Sequence, residues 1–263
     1  MYRELLNFNL PDLLSNFINV KQVTVYTYAF CIALGSLFAT LYTKWSAKKD
    51  LAIELSNSFF YIIFIAGFIG GKLFYYLEKP IFYWNNPSLL LDNVSGGFVF
   101  YGSFVTCIPT VIWYLNKKKI AILPMLDILA ITTLIAHCMG RIGCYCAGCC
   151  YGLPTSSFIA VVFPTSNNIS VHPTQLYEAV ILLLLMLFLL VVKKFKSFNG
   201  QVFVLYLAIY ALCRAFLELF RGDERGYILD GYLSHSQFIA LLLLISSFLF
   251  YKKLYQNKLI LKN

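Results

Sequence analysis

Residues 176–196 read LYEAVILLLLMLFLLVVKKFK. From Ala179 to Val192 no residue is polar, and the run stops on Lys193, Lys194 and Lys196. An uncharged apolar run with its flanks, ending on lysines, reads as a helix that crosses a bilayer, whose hydrocarbon core takes about 20 helical residues. The same pattern recurs on both sides. Spans are expected at roughly 23–43, 54–77, 97–115, 122–140, 176–192, 201–221 and 236–251. The fold class is therefore all-α: a polytopic membrane protein of about seven transmembrane helices, with a small extracytoplasmic cap at about 141–175. One integral-membrane domain, 1–263, is expected, with no cleaved leader.

Composition excludes the soluble alternative. Of 263 residues 60% are hydrophobic and 13% charged, against about 25% charged in soluble domains. The net charge of +9 is not a nucleic-acid footprint, because its lysines are clustered by topology. They stand at Lys44, Lys48 and Lys49, at Lys117–Lys119, at Lys193, Lys194 and Lys196, and at Lys252, Lys253, Lys258 and Lys262. Each cluster follows an odd-numbered span, so the positive-inside rule places the N-terminus outside and the C-terminus in the cytoplasm. The five arginines, Arg3, Arg141, Arg214, Arg221 and Arg225, lie outside these clusters. Guanidinium groups there fit planar recognition of phosphate or carboxylate rather than anchoring.

The outer segments then fall at about 78–96, 141–175 and 222–235. Residues 137–152, HCMGRIGCYCAGCCYG, and 172–179, HPTQLYEA, concentrate polar and reactive groups there. Polar side chains at membrane depth are expensive and mark function. Span four carries Asp127 and His137 and leads into Arg141; span five opens with Gln175, Tyr177 and Glu178. In span six Tyr210, Arg214, Glu218 and Arg221 share one helical face. This is either a structural ion pair or the wall of a polar cavity. Span one places Tyr26 and Tyr28 near its outer end, as an aromatic belt or as cavity residues. Gly67, Gly70 and Gly71 in span two allow close helix approach, with Lys72 following. Span three opens on glycines at 96–97, where irregular backbone would line a cavity beside Tyr101. Between spans four and five, 158–163 and 165–170 read as a short β-like cap.

Four of the eight cysteines, Cys31, Cys107, Cys138 and Cys213, lie in apolar spans as small core residues. Cys144, Cys146, Cys149 and Cys150 form a C-x-C-x-x-C-C cluster. Disulfides, packing in a tight turn, and a thiolate metal site all remain open for it, with metal ranked last.

These residues together resemble the prolipoprotein diacylglyceryl transferases of bacterial inner membranes. Gly140-Arg-Ile-Gly143 is similar to the start of the family signature, His172-Pro-Thr-Gln-Leu-Tyr-Glu178 to its second motif, and Arg214-x-x-x-Glu218 with Arg221 to its late helix. The resemblance implies transfer of a diacylglyceryl group from phosphatidylglycerol to the lipobox cysteine of a prolipoprotein signal peptide. It implies a multi-pass inner-membrane enzyme with no cofactor and no nucleic-acid partner. Arg141 and Arg214 are implied to hold phosphate and Glu218 to orient Arg214. Tyr28, Asp127, Gly148, Gly152, Gln175, Tyr177, Tyr210 and Arg221 are implied to form the substrate cavity. The chain departs from the family pattern at Cys144, where asparagine is usual, at Cys149, where glutamate is usual, and at Tyr101, where a histidine serves as base. A phenol with a reference pKa near 10 is a poor base, so His172 is the expected substitute. Two rival classes are a non-catalytic protein using the cysteines for metal or redox chemistry, and an anion transporter. No inverted repeat supports the transporter.

Overall fold

A computed structural model describes residues 4–9, 22–92, 98–222, 227–228 and 233–260. Among these, seven long helices form: α1 Thr27–Leu51, α2 Asn57–Leu77, α3 Phe100–Lys117, α4 Ile122–Ala147, α5 Thr174–Phe195, α6 Gln201–Leu217 and α7 His235–Ile260. Each overlaps one expected span. Five meet the length and hydropathy of a membrane crossing: Asn57–Leu77, Ile122–Ala147, Thr174–Phe195, Gln201–Phe220 and Ser236–Ile260. The chain is an all-α, multi-pass membrane protein.

The surface of α5 shows why water is not its solvent. Val180, Leu183, Leu184, Leu187, Phe188 and Val191 are all exposed. Its buried stripe is Gln175, Glu178, Ala179, Leu182, Leu185 and Leu189, at helical spacing. A contiguous outward apolar face of this kind is satisfied by lipid. The polar members of the buried stripe lie in the first turns, so one end of the helix is built for chemistry and the rest for packing.

The described residues group into two compact units, Met1–Trp45 with Leu126–Asn263, and Ser46–Met125. In the first, α4, α5 and α6 share a core of Ala130, Ile131, Leu134, Leu182, Leu185, Leu189 and Val202. Between α1 and α4 the Thr43 and Thr132 hydroxyls meet at 2.6 Å, and Cβ atoms built on Gly35 and Gly143 would lie 2.8 Å from Met139 and 3.1 Å from Cys31. In the second unit α2 crosses α3 at glycine. A Cβ on Gly70 would lie 2.6 Å from the Gly102 carbonyl, and Ser103 Oγ donates to the Gly67 carbonyl at 2.6 Å. The small-residue spacing in span two thus does what it predicts.

Two boundaries differ from expectation. Residues 23–26, expected to begin the first span, instead belong to strand β2, Gln22–Tyr26, antiparallel to β1, Glu4–Asn9. The alternating Val23-Thr-Val25 run favours a pleated strand over a helix. Helix α4 runs to Ala147, seven residues beyond the expected end at 140, so Arg141, Cys144 and Cys146 are helical. Nothing in 141–147 breaks a helix. The stop is Gly148, at φ +70°. Its N–H donates to the Tyr145 carbonyl at 3.1 Å, and the Cys149 N–H to the Cys144 carbonyl at 3.2 Å. That pair of bonds is a Schellman cap, which favours glycine at its left-handed position.

A short strand-paired segment follows it. Strands β3, Val161–Val162, and β4, Ser170–Val171, pair antiparallel. Fully buried Phe163 is its core, stacked on Tyr151 at 5.6 Å and edge-on to Tyr145 at 5.7 Å. A further short pair joins β5, Tyr227–Ile228, to β6, Leu233–Ser234. The glycine-rich start of span three at 95–97, the 223–226 turn and the Tyr101 side chain lie outside the described residues.

Candidate active site

Glu178 organises the site. It enters on the first turn of α5 and its side chain is 2% exposed. Arg141 Nε lies 3.0 Å from Oε2, and His137 Nε2 lies 3.3 Å from Oε1. The Tyr210 hydroxyl donates to Oε1 at 3.3 Å, and Arg221 Nη1 stands 4.0 Å from Oε2. Arg141 Nε also donates to His137 Nε2 at 3.3 Å, so the guanidinium bridges the imidazole and the carboxylate. Two arginines, a histidine and a tyrosine from three segments surround the two oxygens. Such a carboxylate is spent on positioning cations and is not a free base.

Helical spacing explains the convergence. His137 and Arg141 are four residues apart on α4 and share its face. Tyr210 is one turn before Arg214 on α6, stacked on Tyr206 and edge-on to His137 at 5.6 Å. Arg214 Nη2 pairs with Glu218 Oε2 at 2.8 Å and approaches Ser236 Oγ at 3.3 Å. The Arg214–Glu218 approach is an ion pair without hydrogen-bond alignment, and among the described residues Arg214 Nη1 is buried with no hydrogen-bond partner. An unpartnered buried guanidinium nitrogen is an open donor for an anion.

Gly152 joins three strands of chain. Its N–H donates to the His172 carbonyl at 2.8 Å, Leu153 N–H to the Phe220 carbonyl at 2.9 Å, and His172 N–H to the Leu153 carbonyl at 3.0 Å. Gly152 also bridges Arg221 in antiparallel fashion. A Cβ there would lie 2.2 Å from the Phe220 oxygen, 2.6 Å from Thr174 Cγ2 and 2.9 Å from His172 Cβ. The glycine thereby sets the height of Arg221 against Glu178. His172 Nδ1 lies 3.0 Å from the Tyr177 hydroxyl, and both rings pack on Phe220. Thr165 Oγ1 donates to the Gly148 carbonyl, tying the cap to the end of α4.

All eight cysteines are free. The Sγ atoms of Cys144, Cys149 and Cys150 lie within 4.8 Å of one another. Cys146, expected in the same cluster, is turned toward Cys31 on α1, because residues two apart on a helix face different ways. The Cys150 thiol is held well below the usual thiol range by hydrogen bonds from Cys144 and Cys149, with Arg221 and Arg141 acting in the same direction. Gln175, 1% exposed, donates from Nε2 to the Cys149 carbonyl at 2.5 Å, and among the described residues its Oε1 is buried with no hydrogen-bond partner. Thr174 Oγ1 donates to the Cys150 carbonyl at 2.9 Å.

The structure thus brings together Arg141, Gln175, Tyr210, Arg221 and the thiols, with Arg214 and Glu218 on the same α6 face as Tyr210. Tyr28, 44% exposed, packs against the Gly143 turn of α4. Asp127 is elsewhere. It is fully buried and accepts from Gly200 N–H at 2.9 Å, Phe203 N–H at 3.0 Å and Lys196 Nζ at 2.9 Å. Fourteen residues before Arg141, it sits about 21 Å along the helix from that residue, capping the start of α6. Two site residues escaped the assignment from sequence: Glu178 and His137. The signal was there, since both are ionisable residues within apolar spans, but pairing across α4 and α5 is a tertiary fact.

The family model described as "Prolipoprotein diacylglyceryl transferase" matches residues 15–252. A Clostridium tetani protein named "Phosphatidylglycerol--prolipoprotein diacylglyceryl transferase" is 39% identical over 226 residues, covering 84% of this chain and 90% of the relative. A Clostridium perfringens protein with the same name, numbered 2, is 32% identical over 232 residues, covering 86% and 90%. A Rickettsia felis protein so named is 29% identical over 253 residues, covering 91% and 96%.

Proposed function

Since the chain belongs to the prolipoprotein diacylglyceryl transferase family, we propose that it moves the diacylglyceryl group of phosphatidylglycerol onto a cysteine thiol of a prolipoprotein. The acceptor is the lipobox cysteine of the signal peptide. The enzyme lies in the bacterial inner membrane, with the N-terminus outside and the C-terminus in the cytoplasm, as the lysine clusters direct.

One observation carries this reading. Arg141, Arg214 and Arg221 gather in one site, Arg141 and Arg221 against Glu178 and Arg214 against Glu218. Among the described residues Arg214 Nη1 is buried with no hydrogen-bond partner, an open cationic donor in a poorly solvated setting. Such a site attracts one phosphodiester monoanion. It also stabilises the second negative charge that develops as glycerol phosphate leaves. Glu178 positions Arg141 and Arg221, and Glu218 positions Arg214. Tyr28, Gln175, Tyr177 and Tyr210 shape the cavity, and Gly148 and Gly152 set the backbone around it. Attack by sulfur on the glyceryl carbon breaks its bond to the phosphate oxygen. The thiol proton passes to His172, whose Nδ1 is engaged by Tyr177; Tyr101 stands as the other group at the family's base position.

The test is transfer in liposomes of phosphatidylglycerol with a peptide bearing a lipobox cysteine, read as the mass of the thioether adduct. Arg141→Ala and Arg214→Ala abolish the adduct while the protein remains folded in the membrane. Native transfer by either variant removes the reading. The non-catalytic alternative is not favoured: the relatives compared bear the names of transferases along most of the chain.

A further inference from the structure

Three thiols from one helix end make an arrangement that the phosphate chemistry leaves unused. The Schellman cap at Gly148 turns Cys149 back over Cys144, whose carbonyl receives the Cys149 N–H at 3.2 Å. Cys150 follows in the left-handed region, at φ +62°. A non-glycine residue held there is costly and marks a backbone fixed by its surroundings. The surroundings are the first turn of α5. Gln175 Nε2 holds the Cys149 carbonyl and Thr174 Oγ1 holds the Cys150 carbonyl. The three sulfurs, all within 4.8 Å of one another, are therefore carried on pinned backbone.

That span suits one kind of ligand. A tetrahedral zinc–thiolate centre with Zn–S of about 2.3 Å places its sulfurs about 3.8 Å apart. Small side-chain rotations close the difference. A disulfide fits less well. Cys149 and Cys150 are sequence neighbours, with Cα atoms about 3.8 Å apart across a trans bond, short of the usual disulfide range. Either remaining pairing strands the third thiol. Among the described residues no fourth ligand joins the three sulfurs, and three protein ligands is the count of a catalytic zinc site, which keeps one position open. Exposed Cys149 leaves an approach to the cluster. A second observation points to a ligand: among the described residues Gln175 Oε1, buried beside the cluster, is an acceptor with no hydrogen-bond partner. The N–H of a docked peptide satisfies it.

We propose that Cys144, Cys149 and Cys150 bind Zn²⁺ as three thiolates, and that the fourth position takes the acceptor thiol. The binding proposal stands on the cluster alone; its consequence for catalysis rests on the transfer reading above. On binding, the three cysteines release their protons to water. The acceptor thiol coordinates the metal and gives its proton to His172. The bound thiolate attacks the glyceryl carbon, an S–C bond forms, and the C–O bond breaks with its electron pair on the phosphate oxygen. The products are the thioether and glycerol phosphate, and the zinc does not change oxidation state. A thiol of pKa about 8.5 is only about 3% thiolate at pH 7, so full deprotonation is worth about 30-fold in nucleophile.

The experiment uses the whole protein, purified under reducing conditions. Zinc is measured by elemental mass spectrometry, and the zinc is then exchanged for Co²⁺ to read visible absorption. The expected result is one metal per chain, a tetrahedral cobalt–thiolate spectrum, and a shift of its bands by a cysteine peptide but not by the serine analogue. Cys144→Ser, Cys149→Ser and Cys150→Ser together abolish the spectrum. Reduced native protein that takes up no stoichiometric metal overturns the site without recourse to variants. So does an intact-mass loss of two hydrogens that reports a disulfide even under reducing conditions, or a cobalt spectrum unchanged in the triple variant. Chelator-stripped protein that transfers lipid at the full rate overturns the activating role and leaves the proposed function standing. Stoichiometric cobalt that senses the thiol, in a protein that never transfers lipid, supports the site and removes the proposed function.

Discussion

Gly152→Ala adds one methyl group at the tightest backbone crossing of the site. The added carbon would meet the Phe220 carbonyl oxygen at 2.2 Å, Thr174 Cγ2 at 2.6 Å and His172 Cβ at 2.9 Å. Ordinary carbon–oxygen contact begins near 3.3 Å, so the Phe220 segment must retreat by about 1 Å. Backbone on both sides is hydrogen-bonded, and no flexible side-chain tip is there to yield. Overpacking of this kind costs about 1–3 kcal/mol. The retreat also draws Arg221, already 4.0 Å from Glu178, away from its partner. A displacement of about 1 Å at a positioning group is worth about 100-fold in rate. The assay is thioether formation in liposomes, with thermal unfolding in detergent measured in parallel. Gly140→Ala is the stability control, because its Cβ meets only Ile32 Cδ1 at 3.6 Å; it should match or slightly exceed native stability. If Gly152→Ala unfolds and reacts as the native protein does, the crossing does not position Arg221.

Glu178→Gln keeps the shape but removes the charge that gathers Arg141, Arg221 and His137; transfer should fall by about 100-fold or more, and a variant within threefold of native would show that the arginines hold their places without it. Arg214→Lys should not restore what Arg214→Ala loses, since an ammonium cannot keep Glu218 and offer a second planar donor at once; phosphatidylglycerol-dependent turnover of the lysine variant decides this. Asp127→Asn removes the charge paired with Lys196 and weakens the cap of α6, at about 1–3 kcal/mol. Its rate per folded molecule should be unchanged, and a lost rate at native stability would return Asp127 to the chemistry. Gly70→Leu in the second unit should lower stability, because a Cβ at residue 70 would lie 2.6 Å from the Gly102 carbonyl; native unfolding behaviour would contradict the close crossing.

The fold class was legible because a bilayer imposes a length and a polarity on every crossing segment, and these survive in linear order. Apolar runs gave seven helices near their observed places, and the glycines of span two announced the α2–α3 crossing. The ends were less legible. A helix continues until something stops it, and the stop after Arg141 is a left-handed glycine seven residues beyond the end expected from hydropathy. In span six the Arg214–Glu218 spacing was local and could be read directly. The role of Asp127 could not, since its partners, Gly200 and Phe203, are more than seventy residues away in sequence.

By itself, then, the sequence determined the solvent, the helices and the reactive residue types. Periodicity and composition are properties of single segments, and a membrane tolerates few solutions for them. Tertiary structure alone decided which groups meet. Glu178 became the hub because the first turn of α5 lies against the face of α4 that carries His137 and Arg141. Three cysteines were separated from the fourth because a cap folds two of them back over Cys144 while the helix turns Cys146 toward α1. Pairings of this kind depend on distances between segments far apart in the chain, which no local pattern encodes.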